Sequence, residues 1–412
     1  MTSLPDLDAC SAEGTAFEQW ERRIGAFAAL DPAALSPGAA LQSGPLEGCT
    51  VGVKDVIDVA GLPTRNGSAA CADAPPATRD ASVVAGLRAA GARIAGKTVT
   101  TEFAYTDPTN CRNPYALDRS PGGSSSGSGA AVGARIVDIA LGTQTAGSLC
   151  RPAAYCGAVG FKPSHGALPT DGVTPLSPSH DTVGIIARTV PLARRAFAAM
   201  GGGQKAPDAP APRLGSVIVD KSVTPARDTR AAFDEASTLL AEATGAMERL
   251  PPLENALAIV EDHRTVMEAE CAGCHAGLLD HRLLPLLRPN FRAALLSGAA
   301  TPPEVSHAAA HRLAVARADY WERHAGIDAI LTMPVPDGAP VFGESTGFQH
   351  WLTVWTVLGG PLVCVPWGLD LNGLPRAVML AGRPGGDMGL LDLGEALASL
   401  APVMPPPMLP AL

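Results

Sequence analysis

Hydrophobic and polar positions change period several times along the chain, and each change marks an element. Gly48–Val59, GCTVGVKDVIDV, is dense in Val, Ile and Thr and predicts a strand. Asp80–Ala90 places Val83, Val84, Leu87 and Ala90 on one helical stripe, with Gly91 as its C-cap. Ala92–Gly96 then reads as a strand and Lys97 as a loop residue. A small-residue helix over Ser128–Val137 runs into an apolar strand over Ile136–Leu141. Residues 44–200 thus alternate strands and helices in the α/β manner. Residues 1–43 read as helix and loop, and Ala206–Pro212, APDAPAP, as a turn region. LGSVIVD (214–220) reads as a strand and Asp228–Arg249 as an amphipathic helix. Residues 253–327 read as largely helical, including one continuous helix through TVMEAECAGCHAGLLDHRLL (265–284). Further strands are expected at Asp328–Pro334 and Pro361–Val365. No repeat and no linker divides the 412 residues, so one large α/β domain over 1–412 is expected, with its motifs in 44–190 and a mainly helical region over about 228–327.

Composition narrows the partners. Apolar residues make up 46% and charged residues 17%, an ordinary globular balance. The 44 Gly and 38 Pro are spread along the chain, which implies many tight turns rather than disorder. The net charge is −9 and no Lys/Arg-rich run occurs, which argues against nucleic acid or an anionic membrane as a partner. The polar, acidic start does not read as a signal peptide, and no apolar stretch reaches membrane-spanning length. A cytoplasmic location is expected. Nine scattered cysteines fit reduced, mostly buried thiols.

Three motif matches fail on context. Gly91–Thr98, GARIAGKT, has the P-loop pattern, but a helix precedes it and a strand follows, the reverse of the order that cradles phosphate. Cys271–His275, CAGCH, has the haem-attachment pattern, yet it reads as two thiols within a helix. Gly123–Gly127, GSSSG, fits a nucleophile elbow at Ser125, as in an α/β-hydrolase-type esterase. Its candidate partners, Asp181 and His275, have no local support.

The candidate chemistry lies in Ser120–Gly166. Two loops rich in Gly and hydroxyls, Gly122–Gly127 and Gly142–Ser148, flank the short helix and strand. Small residues allow close backbone approach, and consecutive N–H groups can form a nest for an oxyanion. Dense apolar sequence on both sides excludes a flexible linker. Upstream, Lys54 sits inside the apolar strand. Burial lowers a lysine's pKa and leaves a usable base. The alternative is a lysine that snorkels or pairs with Asp55 or Asp58.

GVKDVIDVAGLPTRNGS (52–68), PGGSSSGSGAAVGA (121–134) and LGTQTAGSLCRPAAYCGAVGFKPSHG (141–166) together resemble the amidase signature family. A weaker echo runs through DAILTMPVPDGAP (328–340) and GGPLVCVPWGLDLNGLPRAVMLAG (359–382). The wording GTQTAGS…RPAAYCG is most similar to short malonamidase-type members. The resemblance implies a mixed many-stranded sheet covered by helices on both faces. It implies an amidohydrolase with Ser148 as nucleophile, Ser124 as a bridging serine after a cis peptide bond, and Lys54 as base. Ser124 and Ser148 stand 24 residues apart, the family's interval. Thr145, Ala146, Gly147 and Ser148 match the oxyanion-hole loop. Gly122, Gly123, Ser125 and Arg151 fall on the substrate side, Arg151 matching an arginine that holds a carboxylate. A structural arginine bracing the loop, for example to Asp181, is the other reading. Gln144 stands where many relatives have Asp, Ala146 where they have a second Gly, and Gly360 where they usually have Asn. Trp351, Trp355 and Trp367 read as core rather than pocket. A small-molecule amide is the expected partner, no cofactor or metal is expected, and a homodimer stays open. The alternatives are an amidotransferase subunit that supplies ammonia to a partner and the Ser125 esterase.

Overall fold

The computed structural model describes residues 15–35, 43–203 and 212–409. Eleven strands lie in one sheet among the described residues: β1 (Phe27–Leu30), β2 (Thr50–Lys54), β3 (Arg93–Thr98), β4 (Ile139–Gln144), β5 (Val159–Lys162), β6 (Thr182–Ala187), β7 (Leu214–Ser216), β8 (Met247–Arg249), β9 (Ala329–Thr332), β10 (Leu362–Leu369) and β11 (Pro375–Gly382). Their order is β1-β3-β2-β4-β6-β5-β10-β11-β9-β7-β8. The sheet is mixed. β3, β2 and β4 are parallel, and so are β9, β7 and β8. The strands between them run antiparallel. Every residue of β4 and β6 is buried, as expected of strands covered on both faces.

Two consecutive residues of β10 show the covering directly. Cys364 lies beside Gly160 on the side of the Cys150–Tyr155 helix, while Val363 meets Gly394 of the Asp387–Leu400 helix. Successive side chains of a strand point to opposite faces, so helices occupy both. Trp351, Trp355 and Trp367 are fully buried, as expected of core. No described helix is long and apolar enough to cross a membrane.

The helix after Ser125 is Ser126–Gly133, earlier than expected, and all eight of its residues are buried. Its small side chains are a packing requirement. A Cβ on Gly127 would stand 2.1 Å from the Ala26 carbonyl oxygen, one on Gly129 2.9 Å from Pro152, and one on Gly133 2.4 Å from the Cys156 carbonyl. A bulkier sequence could not lie between these backbones.

Several expectations are corrected. Lys97 is a buried strand residue, not a loop residue, because the strand runs on through Thr98. Its ammonium pairs with Asp55 at 3.0 Å and contacts Thr64 Oγ1 at 2.8 Å. The helix of Cys271 ends at Cys274, and a short 3-10 turn, Ala276–Leu279, follows His275. The helix expected over 228–249 is Arg227–Thr244, with Gly245 ending it and Met247–Arg249 forming β8. Only Leu214–Ser216 of LGSVIVD is strand. β4 runs three residues beyond its expected end and includes Gln144. β1, β11 and the Asp387–Leu400 helix were not anticipated. The turn region 206–212 lies outside the described residues except for Pro212. Gly360, where relatives usually carry Asn, sits so close to Gly382 that an added Cβ would be 1.9 Å from its carbonyl oxygen.

Candidate active site

β2 and β4 are parallel neighbours, so their C-terminal ends reach the same edge of the sheet. Lys54 is the last residue of β2 and Thr143 lies near the end of β4. Lys54 is fully buried. Its Nζ lies 2.6 Å from Ser124 Oγ and 2.7 Å from Thr143 Oγ1. Asp55 is taken by Lys97 and Asp58 by Thr64, so neither neutralises Lys54. Burial lowers the Lys54 pKa to about 7. The field of Asp181 opposes that shift and that of Arg151 adds to it.

Ser124 opens the turn before the Ser126–Gly133 helix, and the Gly123–Ser124 peptide is cis. Ser148 lies in the loop leaving β4. The Ser125 N–H donates to the Ser148 carbonyl at 3.1 Å, which ties the two loops together. Ser148 is buried, with a small exposed remnant of about 5%. No hydrogen-bond partner of its hydroxyl is found among the described residues. The Ser125 hydroxyl is fully buried and lies 3.3 Å from both the Thr143 carbonyl and the Thr143 N–H. His275 bonds to the Pro175 carbonyl instead, at 2.7 Å. The structure thus does not gather Ser125, Asp181 and His275 into a triad.

The loop 144–148 is held at every turn. Gln144 Oε1 accepts from the N–H groups of Leu149 and Cys150 at 3.1 and 3.0 Å, capping the following helix. Its amide donates to Thr356 Oγ1 at 3.0 Å. The Thr145 hydroxyl donates to Asp181 at 2.5 Å, and the Thr145 carbonyl accepts from His263 Nε2 at 2.8 Å. The Thr356 hydroxyl lies 2.6 Å from the Ala146 carbonyl. Asp181 also accepts from the N–H groups of Leu176 and Ser177. Burial raises its pKa to about 6 against these bonds. Burial likewise lowers the His263 pKa to about 4, so its ring is neutral near pH 7.

Arg151 is 1% exposed and does not reach Asp181. Its Nε and Nη2 donate to the Gly123 carbonyl at 3.0 and 2.6 Å. Its Nη1 donates to the Gly347 carbonyl at 2.5 Å and to Gln349 at 3.3 Å. Gly122 and Gly123 sit against Tyr155, Pro152, Thr101 and Thr346, with no room for a side chain. Sequence reasoning missed the parts played by Thr143, His263 and Thr356. Thr143 lay inside the motif as one hydroxyl among several. His263 and Thr356 lie on distant helices, and nothing local marks them.

This arrangement is a buried amine beside one serine, with a second serine on the adjoining loop. It can move a proton from a hydroxyl without a histidine. A family model described as Amidase matches residues 26–391. The chain belongs to the amidase family. Amidase 1 of Oryza sativa subsp. japonica is 32% identical over 402 residues, covering 86% of this chain and 90% of that protein. Amidase 1 of Arabidopsis thaliana is 45% identical over 187 residues, and the match spans 42% of each. A crystal structure of an amidase superposes with a TM-score of 0.83 at 29% identity, covering 94% of this chain and 95% of that one. Among the described residues no cluster of His, Cys, Asp and Glu could hold a metal ion.

Proposed function

We propose that the protein hydrolyses the C–N bond of small carboxylic amides through an acyl-enzyme on Ser148. The observation that carries this is the buried Lys54 amine, 2.6 Å from Ser124 Oγ and without a carboxylate partner. In the proposed cycle Ser148 Oγ attacks the amide carbon. Its proton passes to Ser124 Oγ while the Ser124 proton passes to Lys54 Nζ. The carbonyl oxygen takes the displaced electron pair and lies against the N–H groups of the 145–148 loop. Collapse breaks the C–N bond, and the proton returns through Ser124 to the leaving amine. Water then attacks the ester by the same relay and frees the acid and Ser148.

Within the family, Gln144 supports a place beside the short malonamidase-type members, with small amides as substrates. The Arg151 geometry favours a brace over a direct carboxylate clamp, because its donors already meet Gly123, Gly347 and Gln349. A cytoplasmic site of action belongs to the same proposal. The test is ammonia release from a panel of small primary amides by wild type, Ser148→Ala and Ser125→Ala. Ser148→Ala is expected to abolish turnover and Ser125→Ala only to reduce it. A dead Ser125→Ala beside an active Ser148→Ala would overturn the assignment. Release that appears only with an added protein would favour the amidotransferase alternative.

A further inference from the structure

We propose that His263 and Thr356 are positioning residues that aim the oxyanion donors of the nucleophile loop. His263 would set the Ala146 N–H, and Thr356 the Gly147 N–H. The proposal rests on the reading of Ser148 as nucleophile.

The argument is peptide geometry. In a trans peptide the C=O of one residue and the N–H of the next point in opposite directions. The peptides after Thr145 and Ala146 are both trans. His263 Nε2 lies 2.8 Å from the Thr145 carbonyl oxygen and must donate to it, which turns that oxygen toward the Ala256–Cys274 helix. The Ala146 N–H therefore points the other way. Thr356, on the His350–Val357 helix, holds the Ala146 carbonyl at 2.6 Å and turns the Gly147 N–H in the same manner. Thr356 Oγ1 accepts from Gln144, and its single proton favours the Ala146 carbonyl at 2.6 Å over the Leu352 carbonyl at 2.9 Å. No acceptor is found among the described residues for the N–H groups of Thr145, Ala146, Gly147 and Ser148. Buried N–H groups without an acceptor are rare, and a developing oxyanion is the partner that suits them.

His263 is a built part of this wall. It is 2% exposed, and its ring lies edge-on to His180, with centroids 4.6 Å apart. It touches neither Ser148 nor Lys54 in any hydrogen bond. Its effect would pass through the Thr145 carbonyl alone.

The test measures two rates on the full chain: phosphonylation of Ser148 by a fluorophosphonate, and turnover of p-nitrophenyl butyrate. Both reactions build negative charge on an oxygen held by the loop. His263→Leu and Thr356→Val are each expected to slow both rates ~10- to 100-fold, less than the roughly 100- to 1000-fold loss on removing an oxyanion donor, because each variant misaims a donor that is still present. KM should change less than about threefold, since the donors act on the transition state. His263→Gln, whose amide can donate from about the same place, should recover most of the loss. A merely structural histidine would show no such split and no such rescue. Wild-type rates in a folded His263→Leu would overturn the proposal, as would a His263→Gln as slow as His263→Leu. If His263→Leu does not fold, full rates in Thr356→Val overturn it instead. Ser148→Ala separates the two levels. If it still labels and turns over, the nucleophile assignment has failed. If it is inert while the His263 and Thr356 variants are unimpaired, only the positioning proposal has failed.

Discussion

At Lys54 the competing effects can be ranked. Burial of the whole side chain outweighs the field of Asp181, so the pKa settles near 7 rather than in the usual lysine range. A base must be unprotonated to work, so kcat/KM should rise with pH through a midpoint near 7. Asp181 opposes the shift by favouring the ammonium. Asp181→Asn should therefore lower the Lys54 pKa further and move the rising limb to lower pH. A limb that moves to higher pH, or stays put, would contradict that assignment. Arg151 makes a second residue-scale case. It joins the Gly123 carbonyl, next to Ser124, to the segment carrying Gly347 and Gln349. Arg151→Ala should reduce kcat/KM for acidic and neutral amides alike, by ~100-fold if the loops shift by about 1 Å. Loss confined to acidic amides would restore the carboxylate role.

At the scale of elements, the Ser126–Gly133 helix is the clearest link from sequence to site. The run SGSGAAVG was legible as a small-residue helix, but not the reason for its composition. Its three glycines each face a backbone carbonyl, Gly127 that of Ala26, and Gly129 and Gly133 those of Pro152 and Cys156 along one neighbouring helix. Gly127→Ala would gain about 1 kcal/mol of helix propensity. The new methyl would meet the Ala26 carbonyl oxygen at 2.1 Å and the Val99 N at 2.4 Å, and overpacking of that kind costs about 1–3 kcal/mol or more. The clash should win. Thermal unfolding is expected at a lower temperature, with activity reduced because this helix follows Ser124 and Ser125. A stabilised Gly127→Ala would show that the close approach is not real. Lys97 gives the opposite lesson in legibility. Its strand character was hidden because the motif reading placed a loop there, and its partner Asp55 became visible only when β2 and β3 were paired.

Across the whole molecule, one sheet joins the motif-bearing strands to the C-terminal ones through the β5–β10 pairing. The mixed sheet and its helices on both faces agree with what the resemblance implied. Lys54, Ser124, Ser148 and Arg151 could be named as candidates from the sequence because they lie in contiguous motifs. His263 and Thr356 could not, because their parts come from tertiary contacts, His263 lying 118 and Thr356 210 residues along the chain from the loop residues they hold. The short edge strands β1 and β8 were missed for a related reason: three or four residues carry too little pattern to stand apart from a loop. The central claim, a nucleophile at Ser148 drawn from its proton by Lys54 through Ser124, is tested most directly by locating a covalent label. Wild-type protein is treated with a fluorophosphonate, digested and mapped by mass spectrometry. A single adduct on Ser148, formed far more slowly in Lys54→Ala, is the predicted result. An adduct on Ser125 or Ser124, or labelling of Ser148 that is indifferent to Lys54, would contradict the account.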